Sequence, residues 1–264
     1  MNVISEEIAA LERANYEANW AVAQITPGLE VILRDDVVFT SSEIFPSADT
    51  NHACLLQATA ETVDNLIIEI INYFTAKELT PTVFVSPACT PSDLPQRLTS
   101  HGFKISDKET WMTVDNLSKR DIPPLSPKVL IRQITKAEVM TFANTFMAGF
   151  EMPLELAPSM AYLIEPSVGL PGVYHYLAYI DEQPVGTYSL ICHKHYGILG
   201  SAGVVPAFRR KKVVTNLAIK AVLTAKQQGV DTLMLQTTAG FLLERLLTFY
   251  GFKKTFTRTA YTLL

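Results

Sequence analysis

The sequence predicts an α/β protein made of two halves of like design. Strand-type and helix-type segments alternate along the whole of its 264 residues. The two halves end in matching segments, and a proline-bearing stretch without apolar periodicity lies between them.

In the first half, Ser5 is placed to cap a helix that carries Ile8 and Leu11 on one face. Leu29–Leu33 and Val37–Thr40 read as a strand pair turning at Asp35-Asp36, and His52–Gln57 as a short apolar strand. Glu61–Ala76 is helical, because Val63, Leu66, Ile67, Ile70 and Phe74 recur every three or four residues. Thr82–Ser86 is a β-branched strand, Ser92–Ser100 a helix and Glu109–Val114 a strand. Asp115–Lys128 reads as an exposed linker. The expected division is therefore residues 1–117, a linker at 118–128, and 129–264.

In the second half, Val129–Ile134 is a strand and Lys136–Phe150 a helix. Val173–Ile180, Pro184–Cys192 and Tyr196–Val205 read as three strands in meander. Val213–Gln228 is a helix with Leu217, Ala221 and Ala225 on its inner side. Thr232–Thr237 is a strand, Phe241–Phe249 a helix and Lys253–Leu264 a last strand.

The ends of the halves repeat one another. TPTVFVSPACTPSDLPQRLTSHGFK matches VDTLMLQTTAGFLLERLLTFYGFK in element order, and both close on Leu-Thr-x-x-Gly-Phe-Lys. Val83 to Gly102 spans nineteen positions and Leu233 to Gly251 eighteen. Glycine ending a helix and phenylalanine re-entering the core is common. An amphipathic helix before each segment extends the match and makes a true internal repeat the better reading.

Hydrophobic residues make up 48% and charged residues 18%, which excludes a disordered chain. A net charge of -4 argues against a globally basic nucleic-acid binder. Cys54, Cys89 and Cys192 are too few and too scattered for a disulfide framework or a zinc site. The N-terminus carries acids where a signal peptide needs a basic start, and no uncharged stretch is long enough to span a bilayer. A cytoplasmic protein that binds neither membrane nor nucleic acid is expected.

The segment GILGSAGVVPAFRRKKVVTNL, Gly197 to Leu217, places four successive cations between a strand end and a helix start. The free N–H groups of a first helical turn and the helix dipole both favour an anion there. A solvated basic run is the plainer alternative. The flanking residues decide between them: Val205-Pro206-Ala207-Phe208-Arg209-Arg210-Lys211-Lys212-Val213-Val214 resembles the acyl-CoA-binding motif of the GNAT N-acetyltransferase superfamily, Val-Pro-x-aromatic-Arg-x-x-Gly-x-Gly/Ala. Tyr250-Gly251-Phe252 is similar to that superfamily's C-terminal signature. The resemblance covers residues 129–264 well and the first half only as a degenerate copy.

The resemblance implies two GNAT-like halves, each a mixed, mostly antiparallel sheet flanked by helices. It implies that acetyl-CoA or another acyl-CoA lies along Gly203, Val204 and Val205. The pyrophosphate would rest on Arg209, Arg210, Lys211, Lys212, Val213, Val214 and Thr215. Three departures matter. Lys212 and Val214 stand where the motif has small residues, Leu247 stands where a tyrosine often protonates the departing thiolate, and Tyr196–Pro206 holds no acid. Tyr250 is a substitute acid and Glu151 a substitute base, with His193 and His195 as another pair. The implied activity is acyl transfer to a primary amine. The alternative is a non-catalytic acyl-CoA-binding or interaction module. The acceptor and the oligomeric state stay open. In the first half, Ala58-Thr59-Ala60-Glu61-Thr62 has no cation and no glycine, so one CoA per chain is expected.

Overall fold

The computed structural model describes residues 3–45, 47–240 and 242–264. The chain divides into two compact units: Met1–Thr113 with Gln236–Leu264 (unit 1), and Val114–Leu235 (unit 2). This division does not follow the linker, because the chain's end joins the first unit. Seven α-helices and eleven strands occur among the described residues, giving a mixed α/β fold.

Unit 1 begins with α1 (Val3–Ala23), so Ser5 lies inside the helix and not at its cap. Its sheet runs β1 (Leu29–Leu33), β2 (Val38–Ser42), β3 (His52–Cys54), β4 (Thr82–Val85), then the chain's last strand β11 (Lys253–Leu263), and β5 (Phe103–Val114). All neighbours are antiparallel except β3 and β4. β3 stops short of the expected Gln57 because Leu55 takes the left-handed conformation (φ 53°), which breaks the ladder. β5 starts earlier than expected, since the exposed Lys104–Lys108 stretch pairs with β11. The helices α2 (Val63–Thr75) and α3 (Leu94–Ser100) bury Val63, Ile67, Ile70, Phe74, Leu94 and Leu98 on the sheet.

The pairing of β5 with β11 obeys the internal repeat. Exchanging the repeats turns Thr113↔Lys253 into Thr262↔Lys104, and Trp111↔Phe256 into Ala260↔Asp107, and both members of each couple are register pairs. The skipped residues at the two irregularities, Thr255 and Ser106, are equivalent as well. Glu109 and Arg258, each five residues past its Gly-Phe-Lys lysine, face one another and map onto themselves. A local twofold therefore passes through a buried ion pair of opposite charges.

That pair anchors a buried network. Arg258 is 4% exposed; its Nε donates to Glu109 and its Nη1 to Tyr16 Oη at 2.7 Å, with Glu12 Oε1 at 3.4 Å. His52 Nδ1 is 2.8 Å from the Ala48 carbonyl, so it carries the proton. Its Nε2 then accepts from Tyr16 Oη at 2.6 Å. Burial holds His52 down at about 3 and pushes the Glu12 carboxyl up, against the opposing pull of Arg258.

Unit 2 is the meander read from sequence. β6 (Leu130–Gln133), β7 (Val173–Ile180), β8 (Gln183–His193) and β9 (Tyr196–Val204) pair antiparallel in order, and β10 (Thr232–Thr238) joins β9 in parallel. α4 (Val139–Phe150), α5 (Ala157–Ile164) and α6 (Val213–Gln227) complete it. α5 was not foreseen, because its apolar run carries a proline and is only eight residues long. Leu217, Ala221 and Ala225 are all buried.

Residues 115–128 are not a free linker. Leu117 is fully buried, and its N–H donates to the Asp231 carbonyl at 3.1 Å. Lys226 Nζ donates to the Arg120 carbonyl at 2.9 Å, and the Ser126 N–H to Asn216 Oδ1 at 2.7 Å. One apolar side chain and several backbone groups fasten the segment to unit 2, a feature its composition hides. In unit 1, α7 spans Leu242–Phe249, and the expected helix start at Phe241 lies outside the described residues. Among the described residues no helix is long and apolar enough to cross a membrane, and none group as a metal site.

Candidate functional site

The basic loop lies at the end of β9, beyond the strand's last register pair with β10. The parallel register with β10 runs only from Thr232↔Tyr196 to Met234↔Ile198. β9 continues to Val204 without a further register pair to β10 among the described residues. On its other edge, β8 pairs Thr187 with Gly203 and Ser189 with Gly200, so Ser201 and Ala202 both stand opposite Tyr188. This is a bulge: Ser201 is left-handed (φ 52°), and Thr187 Oγ1 donates to its carbonyl at 2.7 Å. A bulge bends its strand and sharpens the twist, which turns the end of β9 out of line.

After β9 the Val205 N–H donates to the Val185 carbonyl at 2.9 Å, and Pro206–Phe208 makes a 3-10 turn. Arg209, Arg210, Lys211 and Lys212 follow, all exposed. Lys212 immediately precedes α6 and is left-handed (φ 63°, ψ 15°), with no side-chain bond capping the helix. It adopts the backbone conformation in which glycine is at ease, without being glycine. The orphan N–H groups of α6 begin at Val213 and Val214, which a side-chain cap would otherwise satisfy. Asn216, which sequence reasoning passed over, fixes this turn. It is 2% exposed, and its Nδ2 donates to the Lys212 carbonyl at 2.7 Å. A buried amide one turn into an apolar helix face was the only signal for it. Gly186 lets β8 approach α6, since a Cβ there would meet the Gly203 carbonyl at 3.0 Å and the Val213 side chain at 3.1 Å.

Two candidates from different parts of the sequence meet here. Glu151, left-handed at the end of α4 (φ 55°), accepts from Arg209 Nη2 at 2.9 Å. The same nitrogen donates to the Gly149 carbonyl at 3.0 Å, and Arg209 Nε to the Val204 carbonyl at 3.3 Å. Phe150 lies over Gly203, where an added Cβ would come within 2.7 Å of its ring. Lys211 sits over the Phe208 ring at 4.6 Å.

The other candidates belong to other elements of the chain. His193 and His195 belong to the β8–β9 hairpin, where His193 pairs with Tyr196 at the far end of β9 from Val204. Tyr250 follows α7 and belongs to unit 1. It is half-buried, its N–H donates to the Leu247 carbonyl at 3.0 Å, and its ring meets Phe249 edge-on at 5.5 Å. Leu247 is buried at 5% exposure. Cys54, Cys89 and Cys192 are all free thiols, and burial pushes Cys192 up to about 11.

Residues 142–249 match the Acetyltransferase (GNAT) family. No curated protein matches the chain's sequence. Among solved structures, a GCN5-related N-acetyltransferase from Kribbella flavida superposes with a TM-score of 0.69 at 15% identity, covering 99% of this chain and 96% of that one. A tandem GNAT protein from the clavulanic acid biosynthesis pathway gives 0.62 at 14% identity, covering 95% and 94%. A GCN5-related N-acetyltransferase from Sphaerobacter thermophilus gives 0.62 at 12% identity, covering 88% and 81%. At such identities the likeness is one of fold. Residues 142–249 thus match the acetyltransferase (GNAT) family, and the chain has the fold of GNAT proteins, tandem ones included.

Proposed function

We propose that the Val114–Leu235 unit binds acetyl-CoA or another acyl-CoA, and that the chain transfers the acyl group to a primary amine. The observation that carries this is the junction, through an exposed basic loop, of a strand end that has no register pair to β10 among the described residues with a helix start that no side chain caps. The backbone of Gly203, Val204 and Val205, on the edge of β9 away from β8, is where an amide-bearing pantetheine can align. The first-turn N–H groups at Val213–Thr215 and the charges of Arg210, Lys211 and Lys212 suit a pyrophosphate. Lys212 keeps the glycine-type turn and adds a charge, so its side chain need not crowd the site. The residues present fit the ligand.

Calorimetry with CoA tests the assignment. Wild-type protein should bind one CoA per chain. Arg210→Glu with Lys211→Glu should weaken it by at least about tenfold, because charge-assisted bonds contribute roughly 1.5–3 kcal/mol each. Equal affinity in the double variant would sink the site. A second CoA is not expected: the start of α2 presents Glu61 and Asp64, which oppose a phosphate. Thiol release from acetyl-CoA over a panel of primary amines tests the transfer.

A second reading, an acyl-CoA-binding module without turnover, has its own support. Glu151 is engaged by Arg209, and the position resembling the family's tyrosine is a buried leucine, Leu247. Binding of CoA with no thiol release from any amine would favour it.

A further inference from the structure

We infer that Arg209 is a positioning residue: a clamp that fastens the end of α4 to the end of β9, leaving phosphate contact to Arg210, Lys211 and Lys212. The phosphate clause rests on the acyl-CoA reading above, while the clamp rests on the contacts of the guanidinium. That group joins two separate pieces of chain through three acceptors. It donates to the Gly149 carbonyl in the last turn of α4, to the Val204 carbonyl at the end of β9, and to the Glu151 carboxylate.

The first of these contacts has a physical logic. The last carbonyls of a helix lack intrahelical donors and form the negative end of its dipole. Downstream, the Glu151 N–H goes to the Ala148 carbonyl and the Met152 N–H to the Met147 carbonyl, so neither turns to Gly149. Arg209 supplies that donor. Below it the two backbones approach as closely as side chains permit: a Cβ on Gly149 would sit 3.2 Å from the Gly203 carbon and the Val204 nitrogen. A planar fork can bridge two carbonyls and a carboxylate at once, which a lysine ammonium on a flexible stem does poorly.

The same contacts make Arg209 a poor phosphate ligand. An anion approaching its guanidinium would share it with the Glu151 carboxylate, a like charge within hydrogen-bond reach. Arg210 and Lys212 are exposed and have no ion-pair partner among the described residues. The loop therefore divides its labour, with one cation engaged at the α4–β9 contact and three left for the ligand.

Hydrogen exchange on the ligand-free full-length protein tests the clamp. Arg209→Ala should speed exchange of the Met152 amide by about tenfold or more, because the end of α4 loses its tie. Arg209→Lys, which keeps the charge and loses the fork, should behave like Arg209→Ala. The probe for phosphate contact is 3′,5′-ADP. Its affinity should stay within about threefold of wild type in Arg209→Ala and fall about tenfold or more in Arg210→Ala with Lys211→Ala. Where an amine of the panel turns over, Arg209→Ala should raise KM for the amine and leave KM for acetyl-CoA unchanged. Unchanged Met152 exchange would overturn the clamp, and a tenfold loss of 3′,5′-ADP affinity in Arg209→Ala would overturn the division of labour. If wild-type protein binds neither CoA nor 3′,5′-ADP, the acyl-CoA reading fails and exchange alone decides the clamp.

Discussion

Replacing Arg258 by methionine keeps most of the side chain's apolar stem but strands two carboxylates inside unit 1. Glu12 is 0% exposed and Glu109 8%, and both draw their positive partner from this guanidinium. Removing one member of a buried ion pair costs about 3–5 kcal/mol, because the remaining charge keeps its desolvation penalty. The guanidinium also covers the rings of Phe84 at 4.2 Å and Trp111 at 5.0 Å, contacts that a thioether replaces only in part. An expected loss of about 3–5 kcal/mol follows for Arg258→Met at pH 8. The loss should depend on pH. Burial already raises the Glu12 pKa in the folded protein, and Arg258 opposes that rise. Without Arg258 the folded carboxyl rises further above its unfolded value. A raised folded pKa contributes stability below the unfolded value of about 4.5, lost as pH climbs through the folded one. The gap between variant and wild type should therefore narrow from pH 8 to pH 5. Equilibrium denaturation followed by tryptophan fluorescence reads unit 1 selectively, since the chain's two tryptophans, Trp20 and Trp111, both lie there. A gap below about 1 kcal/mol at pH 8, or one that does not change with pH, would refute the argument.

The remaining expectations concern acid, the loop and the tyrosine. His52 and His175 are buried with pKa values lowered to about 3 and about 4, chiefly by desolvation. Their contribution is full above the unfolded value of about 6.5 and is lost as pH falls below it, at about 1.4 kcal/mol per pH unit each. Denaturation of wild type against His52→Gln between pH 7 and pH 5 should show a shallower slope in the variant; parallel slopes would remove His52 from the account. Lys212→Gly relieves a left-handed lysine, which costs about 1–2 kcal/mol, against a glycine entropy cost of about 0.5–1 kcal/mol. Thermal unfolding should show a gain of roughly 0.5–1 kcal/mol together with weaker CoA binding, whereas a destabilised variant would mean the side chain packs. If Tyr250 protonates the departing thiolate, Tyr250→Phe must lower turnover strongly with CoA affinity unchanged. Equal turnover would leave Tyr250 a packing residue.

Periodicity and punctuation determined most of the elements without reference to the fold. The spacing of Val63, Leu66, Ile67, Ile70 and Phe74 marks a helix face whichever sheet covers it. The alternation through Val173–Val204, interrupted by short turns, marks three strands, which pair in sequence order in the structure. The basic run between a strand and a helix was legible for the same reason: it is local. Partners across distance were not. Nothing in the pattern of Lys253–Leu263 says that it inserts between β4 and β5, because apolar alternation encodes which face is buried and not which strand lies alongside. The repeat came close. It made Glu109 and Arg258 equivalent positions, but only strand pairing brought them face to face. Leu117, read as part of a linker, is buried because Asp231 and α6 lie where its backbone can be satisfied. Arg209 and Glu151 were each singled out for ligand chemistry, and neither residue type reveals that the other would be its partner. Hydrogen-bond partners depend on where separate elements stop, and the ends of α4 and β9 meet at one guanidinium only once the chain has folded.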